Sequence, residues 1–81
     1  MPRSKLDMLA EVLETARNGT TKTRVVTKAN LNQKLATSML SLLLDLNLLT
    51  ATHNSPTSFS TTEKGFRFLR EYRRLQSLLD S

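Results

Sequence analysis

Apolar residues return along this chain at helical spacing. Leu6, Leu9, Ala10, Leu13 and Ala16 form one stripe and predict a first helix over about 4–18. Ser4 suits the N-cap, and Asp7 sets a carboxylate near the positive helix end. Asn18-Gly19 is the predicted stop, because Gly takes the left-handed C-cap conformation without a Cβ penalty. Asp7, Glu11 and Glu14 share another face, expected to be solvated and turned away from any polyanion.

Thr20 or Thr21 caps a short second segment to about Ala29, anchored by Val25 and Val26. Its β-branched residues Thr23, Val25, Val26 and Thr27 keep a strand open as an alternative. Asn30-Leu31-Asn32 reads as a tight turn whose last residue caps a third helix, through about Leu46 or Asn47. Leu35, Met39, Leu42, Leu43 and Leu46 define its expected inward face. Gln33, Lys34, Thr37, Ser38 and Ser41 gather on the other side, polar and free of acids. Two β-like runs follow, 48–52 and 58–61, around a five-residue turn, 53–57, that contains His53, Asn54 and Pro56. Thr62 then caps a last helix reaching about Asp80. Gly65 in its first turn points to a close backbone approach, since Gly costs about 1 kcal/mol against Ala inside a helix. Phe66 and Leu69 are assigned to the core. Phe68, Tyr72, Leu75 and Leu79, spaced 4, 3, 4, make a heptad seam that needs a partner helix, most simply that of a second copy.

Composition narrows the function. At 81 residues, with 38% apolar residues and sixteen Leu, the chain holds one core. There is no Cys, which removes thiol catalysis, disulfides and thiolate metal sites, and His53 is the one histidine. No Gly-rich phosphate loop or nucleophile motif is present, so neither an enzyme nor a cofactor is expected. The longest apolar run, Leu42-Leu43-Leu44, is far below a membrane span. The lead-in Met1-Pro2-Arg3-Ser4-Lys5 runs straight into a helix containing acids and does not read as a signal peptide. The expectation is a cytoplasmic protein without a membrane partner.

Charge sharpens this. Twelve Lys and Arg face seven Asp and Glu, a net charge of +5. Between Glu14 and Asp45 there is no acid, and within that window lie Arg17, Lys22, Arg24, Lys28 and Lys34. A second basic set, Arg67, Arg70 and Arg74, flanked by Lys64 and Arg73, follows the last helix. A basic run on two consecutive short helices suits a polyanion, each phosphate contact releasing a counterion.

The predicted order of three helices, a hairpin and a long helix is that of a winged helix: mainly α with a small β-hairpin, plus a long C-terminal dimerisation helix. Gly19-Thr20-Thr21-Lys22-Thr23-Arg24-Val25-Val26, then Lys28-Ala29-Asn30-Leu31-Asn32, resembles the pattern G-x-x-K-T-x-I-x-x-x-A-N-L-S of an archaeal winged-helix DNA-binding family. The run 40–49 resembles its L-x-x-L-x-x-x-G-L-I segment, and Thr62-Glu63-Lys64-Gly65-Phe66-Arg67-Phe68-Leu69 resembles its T-x-K-G-x-x-F-L. The three motifs together span nearly the whole chain. The likeness is strongest to small dimeric chromatin proteins and regulators that pair through an antiparallel coiled coil.

The resemblance implies a nucleoid-associated homodimer on double-stranded DNA. Residues 1–62 would form the winged domain and 63–81 the dimerisation helix. Helix 32–46 would enter the major groove, with Asn32, Gln33, Lys34, Thr37, Ser38 and Ser41 as readers. Lys22, Arg24 and Lys28 would hold phosphates, His53 and Asn54 would sit on the wing, and Phe68, Tyr72, Leu75 and Leu79 would form the dimer seam. Three departures stand out: Asn47 replaces the usual Gly, the wing tip lacks Lys and Arg, and the last helix is short. A transcription regulator and an architectural protein both match these features. A protein-interaction module, such as a transcription-complex subunit or partition adaptor, is the alternative from another class.

Overall fold

The computed structural model describes residues 4–53 and 55–80. The Met1-Pro2-Arg3 lead-in and the wing residue Asn54 lie outside them. The elements run α1 (Lys5–Thr15), α2 (Lys22–Lys28), α3 (Gln33–Asp45), β1 (Leu49–Thr52), β2 (Ser58–Thr61) and α4 (Glu63–Asp80).

Each helix starts on the residue whose side chain can replace a missing backbone partner. Ser4 Oγ accepts from the Asp7 N–H at 3.0 Å while the Asp7 carboxylate accepts from the Ser4 N–H at 3.1 Å, a closed capping box. Thr21 accepts from the Arg24 N–H and Asn32 from the Leu35 N–H. Thr62 Oγ1 accepts from the Gly65 N–H and donates to the Asn47 carbonyl, tying the start of α4 to the end of α3. The second segment is thus a helix, and the strand alternative falls away.

Helix ends depart from expectation. α1 stops at Thr15, with Ala16 as its C-cap, so Gly19 is not the cap. It lies three residues farther on, at φ +97°, donating to the Ala16 carbonyl within the turn. The two middle helices end instead on left-handed asparagines, Asn30 (φ 54°) and Asn47 (φ 61°). After α3 the Leu48 N–H reaches the Leu43 carbonyl and the Asn47 N–H reaches Leu44, a Schellman ending.

The hairpin is antiparallel, pairing Leu49 with Thr61 and Thr52 with Ser58. Thr20 adds a bridge to Phe59, with both N–H groups donating at 2.8 Å. Buried Thr61 donates its hydroxyl to the Leu13 carbonyl at 2.6 Å and its N–H to Ala16, stitching β2 to the end of α1.

α1 runs through the middle, touched by α2, α3, β2 and α4. Neighbours on several sides widen its buried arc. Val12, absent from the predicted stripe, is fully buried beside Leu13, while Leu6, assigned to the stripe, is 44% exposed. The buried face of α3 also differs from the predicted one. Ala36, Met39, Leu40 and Leu43 are buried, Leu35 and Leu42 are partly covered, and Leu46 is 43% exposed. Gly65 fits against the backbone of Leu48, where a Cβ would stand 2.4 Å from the carbonyl oxygen.

The acidic face of α1 is not merely solvated; α4 lies along it. The Tyr72 hydroxyl donates to Asp7, and Glu14 pairs with Arg73 as well as with Arg17. Its hydrogen bond to Asp7, with burial and the charges of Asp7 and Glu11, pushes the Tyr72 phenol up to about 12. The folded state favours the neutral phenol. Its contribution to stability is therefore complete below the ordinary value of about 10 and is lost as the pH climbs through about 12. Tyr72 is the one tyrosine, so an alkaline absorbance titration reads it alone. The native midpoint should stand well above that of the denatured chain, and Asp7→Asn should bring it down toward the ordinary value. Coincident native and denatured midpoints would contradict the contact.

Candidate nucleic-acid interface

α2 and α3 meet across the turn at Asn30, and their exposed sides form one polar surface with no carboxylate between Glu14 and Asp45. Gln33, Lys34, Thr37, Ser38 and Ser41 are all exposed on α3. Two readers have part of their bonding capacity committed. Asn32 Oδ1 accepts from the Leu35 N–H, which uses one of its lone pairs and leaves the amide NH2 free to donate. Thr37 donates its hydroxyl to the Gln33 carbonyl at 2.9 Å, leaving its oxygen lone pairs and its methyl for a partner.

The cations divide by side. Lys22 turns toward α3 and lines a hollow with Thr37, Ser41 and Phe59. Arg24 lies on the other flank of α2 and lines a hollow with Gly19, Thr21 and Ser58. Lys28, one turn after Arg24, is exposed at the end of α2. Arg17 leaves the group altogether: it is held by Glu14 and sits over the Phe66 ring, 5.2 Å from the centroid. Among the described residues, Lys22, Arg24, Lys28 and Lys34 have no ion pair.

Their positions within the helices are informative. α1 and α4 each carry an acid in the first turn, Asp7 and Glu63, as the helix dipole favours. α2 and α3 carry none there. Lys22, Arg24 and Lys34 occupy those turns instead, where a cation opposes the dipole by about 0.3–1 kcal/mol. Lys5 and Lys64 stand in the first turns of α1 and α4 as well, but there an acid shares the turn; in α2 and α3 none does.

Asp45, the limit of the acid-free window in the sequence, also closes this surface. Asp45 continues the exposed line of Lys34, Ser38 and Ser41 at i+11, so the acid-free face is confined to the first turns of α3. The wing carries exposed His53 and neither Lys nor Arg among its described residues.

The predicted seam on α4 divides too. Phe68 and Tyr72 are partly covered by their own domain, whereas Leu75 is 53% and Leu79 84% exposed. Leu78, outside the predicted heptad, is exposed as well. Leu46 and Leu48 join Phe68 in an apolar hollow bordered by Lys64, Arg67 and Glu71. This extension depends on the left-handed turn at Asn47, which spacing along α3 does not reveal. Lys64 Nζ donates to the Leu46 carbonyl at 2.9 Å, closing the end of α3.

Among the described residues, no helix is long and apolar enough to cross a membrane. A search of curated proteins finds no match. Among solved structures, the DNA-binding protein Sso10a-2 from Sulfolobus solfataricus superposes with a TM-score of 0.89 at 19% identity, over 96% of this chain and 83% of that one. BpsR of Bordetella bronchiseptica, whose DNA binding is regulated by 6-hydroxynicotinic acid, gives 0.81 at 20%, over 99% of this chain and 62% of that one. A MarR family transcriptional regulator from Silicibacter pomeroyi gives 0.76 at 20%, over 90% and 52%. The chain thus spans less than two thirds of the latter two proteins. At these identities the likeness is one of fold. The family model described as winged helix-turn-helix matches residues 2–80, and the chain belongs to that family.

Proposed function

We propose that this protein binds double-stranded DNA as a homodimer, with the first turns of α3 in the major groove and α2 against the phosphate backbone. The observation that carries this reading is the placement of Lys22, Arg24 and Lys34 in the first turns of α2 and α3, without ion pairs among the described residues. Helix N-termini present free N–H groups to anions, and cations in the same turns add charge. Gln33, Ser38 and Ser41 supply donors and acceptors for base edges, but α3 has no Arg, the commonest reader of guanine. Positioning by phosphates therefore outweighs base discrimination. This favours a broadly bound, nucleoid-associated role over a single-site regulator. The similar fold of a DNA-binding protein and of a transcriptional regulator supports the reading.

Fluorescence anisotropy with a random-sequence duplex tests it. Log affinity should fall with log salt by about 0.9 per phosphate neutralised, or roughly 3–4 per chain and twice that for a dimer. A flat response, or no binding at low salt, would turn the assignment toward a protein partner.

The dimer rests on the exposed leucines of α4. In an antiparallel pair centred between Arg73 and Arg74, Phe68 falls opposite Leu79 and Tyr72 opposite Leu75. The apolar hollow at Leu46 and Leu48 extends that seam onto the domain body. Leu75→Asp with Leu79→Asp should halve the mass in sedimentation equilibrium. It should also weaken duplex binding by about tenfold or more, because two linked half-sites gain from effective concentration. A monomeric unsubstituted chain at high concentration would remove the dimer from the proposal.

A further inference from the structure

Outside the surface proposed to face DNA, three arginines border one hollow where the end of α1 meets α4. Arg17, Arg70 and Arg73 line a hollow of about 440 Å3 whose floor is Phe66 and buried Leu69. Arg17 sits over Phe66, with its Cζ 5.2 Å from the ring centroid, and donates to Glu14 Oε1 through Nε at 3.1 Å and Nη2 at 2.8 Å. Arg73 takes the other oxygen, Glu14 Oε2. One carboxylate therefore fixes two guanidiniums in place and compensates one of them. Arg70, exposed at the rim, has no ion pair among the described residues. Each guanidinium has five N–H donors, and Glu14 accepts only a few of the fifteen.

We propose that this hollow binds a small planar organic anion of the aromatic carboxylate class. A carboxylate matches the guanidinium fork in bidentate fashion, and Arg70 is the fork without a partner. An aromatic ring answers the rest of the hollow, because Phe66 and Leu69 supply its apolar lining and guanidinium groups such as that of Arg17, seated over the Phe66 ring, stack on aromatic faces. Inorganic phosphate would satisfy the charge but leave the floor uncovered. The volume falls in the range of small-molecule pockets, about 300–1,000 Å3. None of Lys22, Arg24, Lys28 or Lys34 lines the hollow, so the site goes beyond the DNA reading and does not depend on it.

The test titrates the full chain, without DNA, with benzoate and separately with inorganic phosphate, following backbone and arginine Nε–H resonances. Benzoate should shift Arg17, Phe66, Arg70 and Arg73 saturably, with Kd near or below about 1 mM, and phosphate should bind more weakly. Arg70→Gln should weaken benzoate about tenfold or more at an unchanged thermal midpoint, as expected for loss of a charged hydrogen bond. Equal binding of phosphate and benzoate, non-saturating or scattered shifts, or an unaffected Arg70→Gln variant would overturn the proposal. So would resonances of the hollow that respond to a duplex and not to benzoate, which would make it a DNA contact.

Discussion

A chain carrying Lys22→Glu, Arg24→Glu, Lys28→Glu and Lys34→Glu is expected to lose duplex binding completely at physiological salt and to stay folded. The two outcomes have different causes. On the DNA side, each lost phosphate contact removes the gain from a released counterion, and each new carboxylate repels the backbone. On the folding side, three of the four substitutions place an acid in a helix first turn, where the dipole favours it by about 0.3–1 kcal/mol. Only Lys28, in the last turn of α2, is favourably placed for its own helix. The thermal midpoint should therefore hold or rise while binding vanishes, a trade of stability for function. Asp45→Asn supplies the opposite arm. It removes the carboxylate at the far end of the exposed α3 line and should tighten binding. Retained affinity in the fourfold variant would place the DNA-facing surface elsewhere.

The second large effect concerns Gly65. An alanine there gains helix propensity, about 1 kcal/mol, since α4 continues through this position. Against that, its Cβ would stand 2.4 Å from the Leu48 carbonyl oxygen and 2.5 Å from Thr61 Cγ2. The threonine is buried and donates to Leu13; the carbonyl is backbone and accepts from the Thr62 N–H. Neither neighbour can yield without breaking a hydrogen bond. Overpacking costs about 1–3 kcal/mol, and breaking those bonds adds to it. Gly65→Ala should lower stability by about 1–3 kcal/mol net, and hence the thermal midpoint by roughly 5–15 °C for a domain this size. Gly65→Val should be worse. A midpoint equal to or above that of the unsubstituted chain would mean that α4 does not approach Leu48 so closely.

Local chemistry was the legible part of this molecule. Ser4, Asn32 and Thr62 each announce a helix start because capping depends on residues three apart, and of the two candidates Thr20 and Thr21 the structure selects Thr21. The close approach at Gly65 is readable for a related reason: glycine inside a helix needs an explanation. Which leucines point inward was less legible. Val12 is buried because α1 has four neighbours and so a wider buried arc than one stripe suggests, whereas Leu6 and Leu46 sit at the ends of α1 and α3 and stay exposed. Least accessible were the partnerships between α1 and α4. Tyr72 with Asp7 and Arg73 with Glu14 join residues 65 and 59 positions apart, so charge patterning along one helix had no means of finding them. For the candidate interface, exposure of the α3 readers followed from periodicity. The diversion of Arg17 to Phe66 and the division of Lys22 from Arg24 required the packed structure.

Beyond Tyr72, residues 73–80 of α4 are all exposed. So short a helical stretch is marginal in water by itself. On the proposed pairing, its order is supplied by another copy, so the stiffness of the rod tracks how many molecules the cell contains. When copies are scarce, the last turns fray and each lobe grips its duplex alone and briefly. When they are plentiful, the rods zip and the residence time lengthens. Abundance itself would then set occupancy through mass action.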